Sequence, residues 1–160
     1  MTPTIRLSVP GTLRYRGIAV RAVAETARLV SGSTPRDPND PLVDDVRHPF
    51  DTAVVSAFME IFNNVVIHAY RRKTGIIEIA MTATDEELVI EIRDTGTPFD
   101  IDGVAPLPDE LTDETLPEGG MGIHIAKTML DDVTYEPGPP NQWRLSKRLD
   151  SPRAATTGRS

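Results

Sequence analysis

Ser56, Glu60, Asn64 and His68 recur at every fourth position of a segment whose other residues include Val54, Val55, Phe58, Met59, Ile61, Phe62, Val65, Val66 and Ile67. Residues four apart share a helix face. At about 3.6 residues per turn, successive members drift by only about 40°, so the four make one polar stripe on a helix otherwise suited to burial. A buried carboxylate without a partner is costly. The stripe therefore faces either a structural network of polar groups and water or a charged ligand. Its residue types suit phosphate–Mg²⁺ chemistry. An Asn carbonyl oxygen can join the octahedral shell that Mg²⁺ completes with phosphates and waters, and a Glu one turn away can orient or deprotonate a nucleophile beside those phosphates.

A second carboxylate follows a strand-like run. Leu88, Ile90 and Ile92 share one strand face, and Asp94 has the same parity, so it points inward and needs a donor. The exocyclic amine of adenine is such a donor, with Gly96 letting the backbone come close; a plain Asp-Thr-Gly turn is the alternative. A third feature is Gly119-Gly120-Met121-Gly122, leading into a helical segment from Ile123. Free backbone N–H groups at a helix start attract anions. The turn is neither a P-loop nor a dinucleotide fingerprint. No Lys or Arg lies between Asp94 and Ala126, so phosphates held here are balanced by backbone amides, the helix dipole and Mg²⁺.

These groups need a scaffold. Ile5, Leu7 and Val9 alternate as a strand ended by Pro10-Gly11. A helix over 14–30 should bury Ile18, Ala22, Val23, Leu29 and Val30. Ser31–Pro49 is a long Pro/Asp-rich loop, unusual for a small domain. Phe50–Tyr70 is the strongest helix, with Asp51 as its N-cap. Ile76–Met81 and Leu88–Arg93 read as a hairpin, Gly122–Asp131 as a short helix, and Val133–Glu136 with Gln142–Arg148 as the last strands. Residues 151–160 read as a disordered tail. The order β-α-α-β-β-α-β-β predicts an α+β two-layer sandwich, a sheet with helices on one face.

The 160 residues are the size of one domain. The chain has no cysteine, which excludes disulfides and thiolate metal sites and fits a reducing compartment. A net charge of −7 and a longest basic run of Arg71-Arg72-Lys73 argue against direct nucleic-acid binding. No segment reads as the roughly 18 apolar residues needed to span a bilayer, so the expectation is a cytoplasmic protein with no membrane partner.

Taken in order, Glu60-x-x-x-Asn64-x-x-x-His68-Ala69-Tyr70, Asp94-Thr95-Gly96-Thr97-Pro98-Phe99-Asp100 and Gly119-Gly120-Met121-Gly122-Ile123 resemble the N, G1 and G2 boxes of the GHKL ATPase superfamily. They are most similar to the anti-sigma factor serine/threonine kinases of the RsbW and SpoIIAB type. The likeness covers roughly residues 4–149, including the ending Trp143–Leu149. It implies the Bergerat fold for 1–150, a mixed sheet with ATP held between sheet and helices, and an ATP lid at 97–118. It implies that Glu60 is the general base and that Asn64 holds Mg²⁺. Asp94 would take the adenine amine, with Gly96 near the base and Phe99 in the nucleotide-binding set. Gly119, Gly120, Met121, Gly122 and Ile123 would surround the phosphates, and His68 would be structural. The implied function is phosphorylation of a STAS-domain anti-anti-sigma protein and capture of a sigma factor, commonly as a homodimer. The alternative is an ATP-binding capture module with little or no kinase activity. The ATPase half of a histidine kinase fits less well, because His48 lies in the Pro-rich loop rather than a phosphoacceptor helix. Two departures from the family are the long 31–49 loop and Glu118, where some members carry Arg.

Overall fold

Alternating burial along the strands decides which face of the sheet the helices cover. The computed structural model describes residues 2–33, 48–70, 75–104, 106, 109 and 120–150. Its strands are β1 (Thr4–Pro10), β2 (Ile76–Ala83), β3 (Glu87–Asp94), β4 (Asp132–Glu136) and β5 (Asn141–Arg148), in spatial order β1-β2-β3-β5-β4. The register aligns Leu7, Ile79, Ile92, Trp143 and Tyr135 in one row across all five strands. A second row is Ile5, Met81, Ile90, Leu145 and Val133. Both lie on the inner face. The outer face carries Arg6, Glu78, Glu91, Arg93, Gln142 and Arg144, where Arg93 Nε donates to Gln142 Oε1 at 3.0 Å. Every ladder is antiparallel. The two-layer α+β expectation thus holds, while the mixed sheet is corrected to an antiparallel one among the described residues.

Three helices cover the inner face: α1 (Arg16–Ser31), α2 (Pro49–Asn64) and α3 (Met121–Met129). α1 buries Ala19, Val23, Ala27 and Val30, while Ile18 and Leu29 are 54% and 58% exposed, contrary to the sequence expectation. The reason is volume: α1 packs closely through alanines at 19, 24 and 27, and this turns the larger Ile18 and Leu29 outward. α2 packs Val54, Phe58, Ile61 and Phe62 into the centre.

The start of α2 also differs from expectation. His48, not Asp51, is the N-cap, and its Nδ1 accepts from Phe50 N at 3.2 Å. Pro49 begins the helix early because its fixed φ is already helical. Asp51 is then carried into the first turn and buried, where Oδ2 accepts from Ser33 Oγ at 2.5 Å. At its other end α2 widens into a π-helical turn over Val65–Ala69, a feature that recurs at functional sites. The combined helix Pro49–Ala69 has a mean hydropathy of 1.3 in its most apolar window, enough by length and composition to cross a membrane. That corrects the expectation that no segment is so apolar; in this fold the apolar residues of the helix form the core against the sheet.

Tyr70 fastens this helix end. It is buried, its hydroxyl donates to Ile76 O at 2.9 Å and accepts from Thr95 N at 3.1 Å. It thus ties the exit of α2 to the start of β2 and the turn after β3. The loop at 34–47 and the tail at 151–160 lie outside the described residues. Replacing Tyr70 with Phe leaves the Thr95 N–H and Ile76 carbonyl without their partner. Urea unfolding should show a loss of about 1–3 kcal/mol, and a change within error of zero would mean that water replaces the hydroxyl at no cost.

Candidate nucleotide site

Two clusters of polar groups open on the same edge of α2, one at the exit of β3 and one at the start of α3. The first is built on Asp94. As strand parity requires, its side chain lies on the inner face, 3% exposed. Oδ1 accepts from Asn141 Nδ2 at 2.9 Å and from Gly96 N at 2.9 Å. Asn141 is itself 1% exposed; it also donates to Gly96 O at 2.9 Å, and its Oδ1 accepts from Gly138 N. Burial pushes the Asp94 carboxyl above the usual carboxylate range, and the bonds from Asn141 and Gly96 pull it part of the way back. Both of these protein donors converge on Oδ1.

Below Asp94 lies an aromatic group. Phe99 meets His68 edge-on at 5.3 Å between centroids, Tyr135 at 6.3 Å and Trp143 at 6.0 Å. Tyr135 and Trp143 are 4.6 Å apart. The Tyr135 hydroxyl accepts from Phe99 N at 2.7 Å, and burial raises the pKa of that phenol above its ordinary value. Asn64 and His68 line the same pocket. Asn64 Nδ2 is buried and has no hydrogen-bond partner among the described residues, so the amide keeps a donor that these residues do not use.

The second cluster is where α3 begins. Gly120 caps it in the left-handed region, φ 78°, which favours glycine. A Cβ on Gly122 would lie 2.5 Å from Glu60 Oε2, so the bare Cα lets the first turn of α3 rest against that carboxylate. The N–H groups of Met121, Gly122 and Ile123 have no acceptor within the helix; the next, His124 N, donates to Gly120 O at 3.2 Å. Glu60, one helical turn from Asn64, therefore lies against the first turn of α3, and the arrangement suits an anion bound at the helix start with a carboxylate base beside it.

The structure thus brings Glu60 to Gly122, and Asn64, Asp94 and Phe99 to one pocket. Gly119 and most of the 97–118 segment lie outside the described residues. Two of the expected residues also have roles in the packing. The Ile123 side chain is in the core, 1% exposed, so only its backbone N–H is available to a ligand. Gly96 is bare because a Cβ would run into Ala69 in the π turn, and Thr97 N donates to Ala69 O at 3.1 Å. Its role in the fold is to let the β3 exit dock on α2. Asn141 and Tyr135 were missed from sequence. Asn141 sits at a turn, where Asn is ordinary, and Tyr135 alternates in its strand like any half-buried aromatic. Only the register of β3, β5 and β4 brings them to Asp94.

A family model described as the histidine kinase-like ATPase domain matches residues 17–147. The chain is 35% identical over 85 residues to the serine-protein kinase RsbW of Bacillus licheniformis, covering 50% of this chain and 53% of that protein. It is 33% identical over 81 residues to serine-protein kinase RsbW of Bacillus cereus (strain AH187), covering 48% and 51%. The chain thus spans about half the length of the curated relatives it matches.

Asp94 makes a signed pH prediction. A carboxyl whose folded pKa is raised binds its proton more tightly folded than unfolded. Its contribution to stability therefore falls as pH rises from the ordinary 3.8 through the raised value. Asp94→Asn removes this dependence, so its stability relative to the parent should increase as pH rises above the ordinary 3.8. Adenine nucleotide affinity should fall by about ten- to a hundredfold, the worth of a hydrogen bond to a charged group. Denaturation across pH and calorimetric titration read the two effects separately; a variant that loses stability relative to the parent as pH rises contradicts the assignment.

Proposed function

Because this chain belongs to the histidine kinase-like ATPase family, we propose that it binds Mg-ATP and transfers the γ-phosphoryl group to a serine or threonine of a STAS-domain anti-anti-sigma protein. In the same reading it captures a sigma factor and works as a cytoplasmic homodimer, with no direct contact to nucleic acid or membrane. The names of the relatives support the kinase reading. The observation that carries it is the contact of Glu60 with the bare Cα of Gly122, one helical turn from Asn64. This puts a carboxylate base beside the amides that would cradle the phosphates.

In this mechanism the adenine amine donates to Oδ2 of Asp94, because Oδ1 is taken by Asn141 and Gly96. The backbone amides of Met121, Gly122 and Ile123 face the phosphates. Asn64 Oδ1 would hold Mg²⁺ together with phosphate oxygens and water, while Nδ2, a donor with no partner among the described residues, would be available to a phosphate oxygen. The ion would neutralise charge where the chain supplies no Lys or Arg between 94 and 126. Glu60 accepts the proton of the substrate hydroxyl as the new O–P bond forms. The bond from Pγ to the bridging oxygen breaks, and ADP leaves. His68, packed on Phe99, takes no part in the transfer.

The missing cationic side chains favour a second reading, a capture module that uses ATP to set its shape and turns it over slowly or not at all. Incubation with labelled ATP, Mg²⁺ and a STAS-domain protein distinguishes the two. Glu60→Ala should lower transfer by at least about a hundredfold, the usual worth of a general base, with ATP binding kept. Asn64→Ala should remove the Mg²⁺ dependence of binding. Tight nucleotide binding by the parent protein with no transfer to any such partner, together with sigma capture, would select the second reading.

A further inference from the structure

The pocket beneath Asp94 has walls suited to a flat aromatic ring, yet it is already full. The space left in it is about 10 Å³, enough for one water at most. A purine cannot enter it as it stands. Three of its walls belong to regular elements: His68 to the π turn, Tyr135 to β4 and Trp143 to β5. Phe99 is the one ring of the four that comes from the irregular segment after β3, which also supplies Thr97 to the lining.

The phenyl ring of Phe99 is held much as a base would be. It has His68, Tyr135 and Trp143 around it at 5.3 to 6.3 Å, in tilted and edge-on geometries that aromatic quadrupoles favour. Its backbone N–H donates to the Tyr135 hydroxyl. The segment that carries it is fixed at one end by Thr97 N to Ala69 O. At the other end it turns through Val104 N to Ile101 O, and Val104 packs beside Gly120, where an added Cβ would lie 2.8 Å from Cγ1. One short stretch of chain thus fills the base pocket and touches the cap of α3, at both ends of the site.

We infer that Phe99 is a resident competitor for the purine: its ring occupies the base pocket when no nucleotide is bound, and ATP binds only as the ring leaves. The inference rests on the nucleotide reading above and assigns Phe99 a role opposite to that of a stacking contact. Withdrawal of the ring breaks the Phe99–Tyr135 hydrogen bond and frees the faces of Trp143 and Tyr135 for the incoming base. The apparent affinity is reduced by the fraction of molecules whose pocket is open. Nucleotide occupancy is thereby coupled to the position of the chain that packs on Gly120.

Phe99→Ala separates competitor from contact. Titration of the intact protein with Mg-ATP should show binding about tenfold tighter in the variant, as expected if about a tenth of parent molecules are open. Weaker or unchanged binding in the variant, with the parent binding normally, overturns the inference and leaves the nucleotide site standing. Failure of both proteins to bind removes the nucleotide reading and this inference together. Trp143 is the only tryptophan in the chain and gives a second readout without nucleotide. Acrylamide should quench its fluorescence more strongly in Phe99→Ala than in the parent, and equal quenching counts against the ring's place in the pocket. Should Phe99→Ala not fold, Tyr135→Phe keeps the ring wall and removes only the hydroxyl that holds Phe99 N–H. It too should tighten Mg-ATP binding, and no tightening there overturns the inference.

Discussion

A carboxylate taken out of water has to be supplied with donors by the protein, and the supply to Asp94 organises one end of this molecule. Asn141 reaches it from the start of β5, and the Gly96 amide reaches it from the turn that follows β3. The same Asn141 amide holds Gly96 O, so the turn is fixed at both its donor and its acceptor. Once fixed, the turn lies against Ala69, and this is where α2 departs from α-helical geometry. Tyr70 closes the arrangement by bonding to Thr95 and Ile76. A polar contact between two strands thereby sets where the long helix ends, and with it the position of Asn64 and His68.

The opposite end depends on space rather than on hydrogen bonds. Glu60 projects from α2 toward α3, and the two helices approach there because position 122 has no side chain. Sterics place a carboxylate beside free helix N–H groups. At the other end, polar satisfaction places a carboxylate beside aromatic rings. The Glu60–Asn64 spacing on α2 relates the two clusters, and the core under α2, from Phe58 to Trp143, makes that spacing rigid. Stability and site geometry therefore rest on the same packed side chains, in keeping with interiors that admit little empty volume.

Much of this was legible in the residues. The strand and helix order, the inward parity of Asp94, and the alignment of Glu60 with Asn64 follow from periods of two and of about 3.6, which are local properties of the chain. The errors are also local in origin. Ile18 and Leu29 have the spacing of a buried face, but alanines at 19, 24 and 27 let that side of α1 approach the core more closely. Asp51 is a good capping residue, but Pro49 starts the helix before it. Gly96 has a packing reason that no local pattern shows: a Cβ there would meet Ala69.

The order of elements, the pairing of an acid with an amide on one helix edge, and the glycine turn before α3 could be read directly from the residues, because each is a pattern within a few positions. The tertiary packing is what makes Asn141 the partner of Asp94 and gathers Phe99, Tyr135 and Trp143 around one pocket. Those contacts join residues up to 47 apart. They depend on which strand lies beside which, and strand neighbours are chosen by the packing of the whole sheet on its helices rather than by any local period.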